Sequence, residues 1–254
     1  MTDKTADCER LLCSQCADAG TLGFDFTMAF QPIVNCSTQS IFGYEALVRG
    51  LNNESAYSVI SRINDENRYI FDQLCRIKAI ALAARLGIDS MLSINFLPNA
   101  VYQPERCIRT TLEAARQYGF PTDKIMFEFT EAEKISDSSH IKRIVEYYHD
   151  LGFITATDDF GSGYSGLNLL ADFHTDIIKL DMELIRNIHQ SNARQTIVRN
   201  CLTMFRELNI TALAEGIESA EEYGWLRDAG IELMQGYLFA RPGFETLPDV
   251  SFPA

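Results

Sequence analysis

From Asp25 onward, short runs rich in β-branched and aromatic residues alternate with longer stretches of helical period, the pattern of repeated βα units. Strands are expected at Phe26 to Val34, Gly43 to Val48, Met91 to Phe96, Lys124 to Thr130, Phe153 to Asp158, Asp176 to Leu180, Thr211 to Ala214 and Glu232 to Phe239. Between them, helical patterns cover Glu66 to Leu86, Glu105 to Tyr118, His140 to Leu151, Ala193 to Leu208 and Ala220 to Ala229. Gly87, Gly119, Gly152 and Gly230 each stand where a left-handed residue would close a helix.

Eight strands, most followed by a helix, suit a (β/α)8 barrel better than a doubly wound sheet. The first two are joined only by the polar turn Asn35 to Ser40, whereas a parallel crossover needs about a dozen residues or more. The expected fold is therefore α/β, a modified (β/α)8 TIM-like barrel with an antiparallel first strand, filling residues 25–254 as one domain. Leu11, Leu12, Cys16 and Ala19 recur at helical spacing before Gly20, so residues 1–24 are expected to form a short amphipathic helical segment.

With 46% hydrophobic and 22% charged residues in a chain of 254, disorder and low-complexity structure are poor descriptions. A net charge of −13 argues against duplex nucleic acid and anionic membrane as partners, because both demand basic surface. A polyanionic ligand would need metal to reach such a protein. The longest apolar run, Ala79 to Ala84, falls far short of the roughly 20 residues that span a bilayer. The start, MTDKTADCERLLCSQC, lacks the apolar core of a secretion signal, and a cytoplasmic location is expected. In that compartment the seven cysteines stay reduced, and Cys8, Cys13 and Cys16 lack a fourth nearby ligand for zinc. The four histidines lie in or beside expected helices, away from the strand ends.

In such a barrel the chemistry gathers at the C-terminal ends of the strands. Glu45 closes the second strand, Asn95 the third, Glu128 the fourth, Asp158 and Asp159 the fifth, Lys179 the sixth and Glu215 the seventh, while Gln235 lies in the eighth. Five of these eight groups are carboxylates, which repel one another unless cations lie between them. Oxygen donors without His or Cys suit hard ions such as Mg²⁺ or Mn²⁺, and the adjacent aspartates could serve two of them, as in two-metal phosphoryl hydrolysis. Alternation turns Lys179 away from Ile178 and Leu180 and toward the carboxylate-lined lumen.

The segment Gly161-Ser162-Gly163-Tyr164-Ser165-Gly166 matches GxGxxG after a strand. The ten residues from Gly166 to the next strand are too few for the usual crossover helix, and the aspartates just before it would repel a pyrophosphate. A mobile glycine-rich loop beside a metal site is the better reading.

At these residues the sequence resembles the EAL-domain family of cyclic di-GMP phosphodiesterases. The resemblance rests on Glu45-Ala46-Leu47 with Arg49, Asn95-Phe96-Leu97-Pro98, Glu128-Phe129-Thr130-Glu131, the stretch from Asp158 to Leu167, Lys179-Leu180-Asp181, Ala214-Glu215-Gly216-Ile217-Glu218, and Gln235 through Pro242. It implies hydrolysis of one phosphodiester of cyclic di-GMP to linear 5′-pGpG. By similarity, Glu45, Asn95, Glu128, Asp158, Asp159 and Glu215 hold one or two Mg²⁺ or Mn²⁺ ions, with Glu45, Asp159 and Glu215 joining Lys179 as the catalytic groups. Lys179 would orient or activate the attacking water, with Arg49 and Gln235 on the substrate side. Glu131 and Glu218 would support the glycine-rich loop, near a homodimer interface.

Two features depart from the family pattern. Gly50-Leu51-Asn52-Asn53-Glu54 replaces the usual tryptophan-containing stretch, and no proline follows before Pro98, which bears on guanine contacts and affinity. Ser162 stands where threonine is frequent and keeps the hydroxyl. The alternative function is a catalytically silent cyclic di-GMP receptor or interaction protein on the same fold. A barrel enzyme doing enolate chemistry is a further rival, with no need for a phosphate contact at Arg49.

Overall fold

The computed structural model describes residues 22–101, 103–130, 138–162 and 166–253. The chain opens with an antiparallel hairpin, β1 (Thr27–Asn35) and β2 (Ser40–Arg49), in which Gln31 pairs with Glu45. A short helix α1 (Ala56–Ile60) and the long α2 (Arg68–Leu86) lead to β3 (Met91–Asn95). There follow α3 (Pro104–Tyr118), β4 (Ile125–Thr130), α4 (Ser138–Asp150), β5 (Ile154–Phe160), α5 (Gly166–Asp172) and β6 (Ile177–Leu180). The rest is α6 (Met182–Ile185), α7 (Asn192–Glu207), β7 (Thr211–Ala214), α8 (Ala220–Asp228), β8 (Leu233–Met234) and β9 (Gly243–Phe244).

Strands β2 to β8 run parallel in sequence order, and β1 closes the ring by pairing antiparallel with both β2 and β8. The result is an eight-strand TIM-like barrel with an antiparallel first strand, and β9 adds a short pairing on β1. Helices α2 and α3 close at Gly87 and Gly119 with left-handed φ of 73° and 69°, and Gly152 and Gly230 adopt the same region just past α4 and α8.

Sequence and structure differ at several places. Glu45 does not close β2, which continues to Arg49 because the long hairpin with β1 carries it onward. The expected strand Glu232 to Phe239 shrinks to Leu233–Met234. Beyond Met234 the chain folds against the loop after β7, with Ile217 donating to the Gln235 carbonyl and Leu238 to the Ile217 carbonyl. A seven-residue helix, α5, occupies the segment after Gly166, where a crossover helix was not expected. Most of the expected N-terminal helical segment and Cys8, Cys13 and Cys16 lie outside the described residues; residues 22–24 carry no helix, and Leu22 packs into the core.

A layer of apolar side chains, Ile33, Met126, Ala156, Ile177, Leu213 and Leu233, fills the barrel interior. Five of them stand two positions before Glu128, Asp158, Lys179, Glu215 and Gln235, so the strand period of two puts the polar group directly above its apolar floor. The outer shell between barrel and helices includes a chain of rings in edge-to-face or tilted contact from Phe96 through Phe127 and Tyr148 to Phe153. Among the described residues no helix is long and apolar enough to cross a membrane.

Candidate active site

The mouth of the barrel is organised around one buried cation. Lys179 Nζ lies 2.5 Å from Glu215 Oε1, 2.7 Å from Glu128 Oε2, 3.1 Å from Asp158 Oδ1 and 3.7 Å from Glu45 Oε2. The alternation that turned Lys179 inward thus holds, and Ile178 and Leu180 pack outward into a cluster with Phe205 and Val198 of α7. Asn95 Nδ2 donates to Glu45 Oε1 at 2.9 Å, and Gln235 Nε2 donates to Glu45 Oε2 at 2.9 Å. Glu45 therefore sits mid-strand with both oxygens held from opposite sides.

Consecutive residues of a strand face opposite ways, yet Asp158 and Asp159 both reach the mouth. A bulge explains this. Thr157 pairs with Ile178 and Phe160 with Leu180, so β5 carries one residue more than β6 across the same span. Asp159 takes up the excess with a left-handed φ of 55°, a conformation that aspartate tolerates better than most side chains. Its carboxylate can then approach those of Asp158 and Glu215.

The electrostatics follow from burial and crowding. Burial opposes the charge on Lys179, but Asp158, Glu128, Glu215 and Glu45 outweigh it and keep the ammonium protonated well above the usual lysine range. Burial, reinforced by Glu45 and Asp158, pushes Glu128 up to about 8 against the pull of Lys179. Glu215 is raised well above the ordinary carboxylate range for the same reason, burial first and neighbouring carboxylates next. Asp159 rises to about 6 through burial and the proximity of Asp158 and Asp181.

One lysine does not neutralise five carboxylates, and the donor set fits hard divalent cations. Oxygens of Glu45, Glu128 and Asp158 lie within 4.8 Å of one another, as do those of Asp158, Asp159 and Glu215, with Asp158 common to both groups. Glu128 Oε1 and Gln235 Oε1 are buried without a hydrogen-bond partner among the described residues, as a missing cation or its water would leave them.

The cluster separates two cavities. One of about 620 Å³ runs from Glu45, Asn95 and Asp158 to Ile60, Asn64 and Arg68 around α1. The other, about 280 Å³, is bounded by Gln31, Glu45, Asp159, Glu215 and Gln235. Arg49 ends β2 and donates from Nη1 to the Val48 carbonyl at 2.7 Å; no contact among the described residues ties it to the carboxylates. Glu218 follows β7, its carboxylate 3.1 Å from Arg186 Nη2. Glu131 lies outside the described residues. His149 pairs with Asp176 at 2.8 Å, beside the start of β6 and away from the mouth. Two further features were not expected from the sequence: Gln31, whose polar side chain breaks the apolar run of β1, and the buried pair Asp72 and Arg76, whose i, i+4 spacing is equally that of a surface pair.

The sequence matches the family model of the EAL domain over residues 21–242. The chain belongs to the EAL-domain family. Among curated EAL relatives, the blue light- and temperature-regulated antirepressor BluF of Escherichia coli (strain K12) is 32% identical over 239 residues, covering 94% of this chain and 59% of that protein. The cyclic di-GMP phosphodiesterase PdeR of the same strain is 35% identical over 167 residues, 65% of this chain. The chain thus spans only 59% and 24% of the length of these two relatives. Among solved structures, a standalone versatile EAL protein from Vibrio cholerae O395 in a c-di-GMP-bound form superposes with a TM-score of 0.89 at 73% identity, covering 91% of this chain and 98% of that one. Klebsiella pneumoniae BlrP1 in a manganese and cyclic di-GMP complex gives a TM-score of 0.84 at 35% identity, covering 90% of this chain and 58% of that one.

Proposed function

We propose that this EAL protein hydrolyses one phosphodiester of cyclic di-GMP to linear 5′-pGpG, using one or two Mg²⁺ or Mn²⁺ ions. The observation that carries the reading is the convergence of Glu45, Glu128, Asp158 and Glu215 on Lys179, with Asp159 beside them. Support comes from PdeR, which is named a cyclic di-GMP phosphodiesterase, and from the cyclic di-GMP complexes of the Vibrio and Klebsiella proteins.

Glu45, Asn95, Glu128, Asp158, Asp159 and Glu215 would hold the ions. When bound, the ions would neutralise phosphoryl oxygens and lower the pKa of the attacking water. Lys179 keeps a proton at Nζ, so it donates to the water or to a phosphoryl oxygen and fixes its direction of approach. Gln235 and Asn95 hold Glu45 in one orientation from either side. Arg49 has the forked donors that suit a phosphate at the rim. Cavities on both sides of the cluster leave room for a ligand with two arms. In the same reading residues 25–254 form the EAL unit behind the N-terminal segment 1–24, Glu131 and Glu218 support the glycine-rich loop, and the protein is a cytoplasmic homodimer. The exposed Leu167 and Met182, on the helices that follow β5 and β6, offer apolar surface for pairing.

BluF is named an antirepressor, which favours a second reading: a catalytically silent cyclic di-GMP receptor or interaction protein on the same fold. Incubation with cyclic di-GMP under Mg²⁺, Mn²⁺ and Ca²⁺, with chromatographic identification of the product, separates the two. Linear 5′-pGpG supports hydrolysis; nucleotide binding with no product under any ion supports the receptor.

A further inference from the structure

Arg76 of α2 is a fully buried cation outside the carboxylate cluster. Its Nη2 lies 2.7 Å from Asp72 Oδ2 one helical turn away, and its Nη1 donates to the Tyr148 hydroxyl of α4 at 2.9 Å. The guanidinium packs on two rings, 5.4 Å from the centroid of Phe96 and 5.1 Å from that of Phe127. These rings lie on two neighbouring strands, Phe96 just past the end of β3 and Phe127 within β4. Phe96 follows Asn95, Phe127 precedes Glu128, and Asn95 and Glu128 are partners in the β3–β4 register. By strand alternation, the rings that face Arg76 outside the barrel back the two side chains that face its lumen.

Asp72 extends the same arrangement. Its Oδ1 accepts a hydrogen bond from Leu97 N at 2.9 Å, two residues past Asn95, while Phe96 N donates to the Glu128 carbonyl at 2.9 Å. Burying an ion pair is costly, and apolar side chains of like volume would fill this shell at lower cost. Apolar side chains could not hold the Leu97 amide, nor fix both ring planes against one flat cation.

We propose that Arg76, with Asp72 and Tyr148, is a positioning group that sets the separation of Asn95 and Glu128 as metal ligands. The inference rests on the metal-site reading above. It assigns to one buried guanidinium the task of holding two neighbouring strands at the spacing a small hard cation requires.

Mn²⁺ titration of the full-length chain, followed by electron paramagnetic resonance and calorimetry, tests it without reference to turnover. The variants are Tyr148→Phe, Asp72→Asn and, as a control, Val198→Ala in the separate core around α7. Tyr148→Phe removes a single hydroxyl and keeps the ring, so it carries the test if Asp72→Asn fails to fold. The expected result is Mn²⁺ affinity reduced severalfold in Tyr148→Phe and tenfold or more in Asp72→Asn, with cooperative melting retained. Val198→Ala should melt earlier yet bind Mn²⁺ as wild type does. Wild-type affinity in folded Tyr148→Phe and Asp72→Asn, or equal weakening by Val198→Ala, overturns the positioning role alone. Failure of the wild type to bind Mn²⁺ overturns the metal-site reading and this inference with it.

Discussion

Gln235 Nε2 donates a hydrogen bond to Glu45 Oε2 at 2.9 Å across 190 positions of sequence, joining the residue just past β8 to the middle of β2. Among the described residues the other group near that oxygen is Lys179 Nζ, at 3.7 Å. Replacing Gln235 by Leu removes a hydrogen bond to a charged group, a loss of about 1.5–3 kcal/mol. Mn²⁺ affinity and turnover of cyclic di-GMP should fall about tenfold to a hundredfold, with little change in the circular dichroism spectrum. Isothermal titration of Mn²⁺ beside a turnover assay checks the expectation.

The metal-free protein should lose stability as pH rises through neutrality. Glu128 titrates near 4.5 when unfolded and near 8 in the folded protein, so folding favours its protonated form. Its contribution is complete below pH 4.5 and disappears as pH rises through 8. Asp159, raised from 3.8 to about 6, acts in the same direction over a lower window. Lys179 is raised above 10.5 and stays protonated throughout, so it does not offset the trend. Thermal melts in EDTA should show a midpoint several degrees lower at pH 8 than at pH 5. An Mn²⁺ ion bound among these carboxylates would take the place of the proton, so it should raise the midpoint more at pH 8 than at pH 5.

Lys179 is the internal counter-ion of the mouth, and Lys179→Met leaves the surrounding carboxylates to repel one another. Removing one partner from a buried ion cluster costs about 3–5 kcal/mol, which denaturant unfolding in EDTA should register. Added Mn²⁺ should restore most of the stability. It should not restore turnover, which should stay about a hundredfold to ten-thousandfold below wild type if the ammonium serves the attacking water.

Gly236 packs its α-carbon against the backbone of Ile217, where a Cβ would collide with main-chain atoms. Gly236→Ala should therefore force the chain around Gln235 outward, at a cost of about 1–3 kcal/mol. The thermal midpoint should fall by several degrees, and Mn²⁺ affinity should fall as in Gln235→Leu.

Much of the fold was legible because period-two alternation survives burial when the inward face changes from apolar to polar along a strand. Ile177 and Lys179, or Met126 and Glu128, share a face, and each pair marks both a barrel floor and a site. What escaped was local geometry that leaves no period. The bulge at Asp159 depends on one positive φ and shows only as two adjacent aspartates. Tyr237, Leu238 and Phe239 extend an apolar run that resembles a strand, but a close backbone approach at Gly236 ends β8 before them. The five residues of α1 and four of α6 are too few to display helical periodicity. Asp72 and Arg76 look like a surface i, i+4 pair until tertiary packing buries both.

Anomalous scattering from crystals grown in Mn²⁺ tests the central claim most directly. The expected map has a peak among Glu45, Asn95, Glu128 and Asp158, with any second ion between Asp158, Asp159 and Glu215, and Lys179 Nζ drawn away from the carboxylates it contacts here. A map with no manganese at the mouth, and Lys179 still bonded to Glu128 and Glu215, would contradict the account.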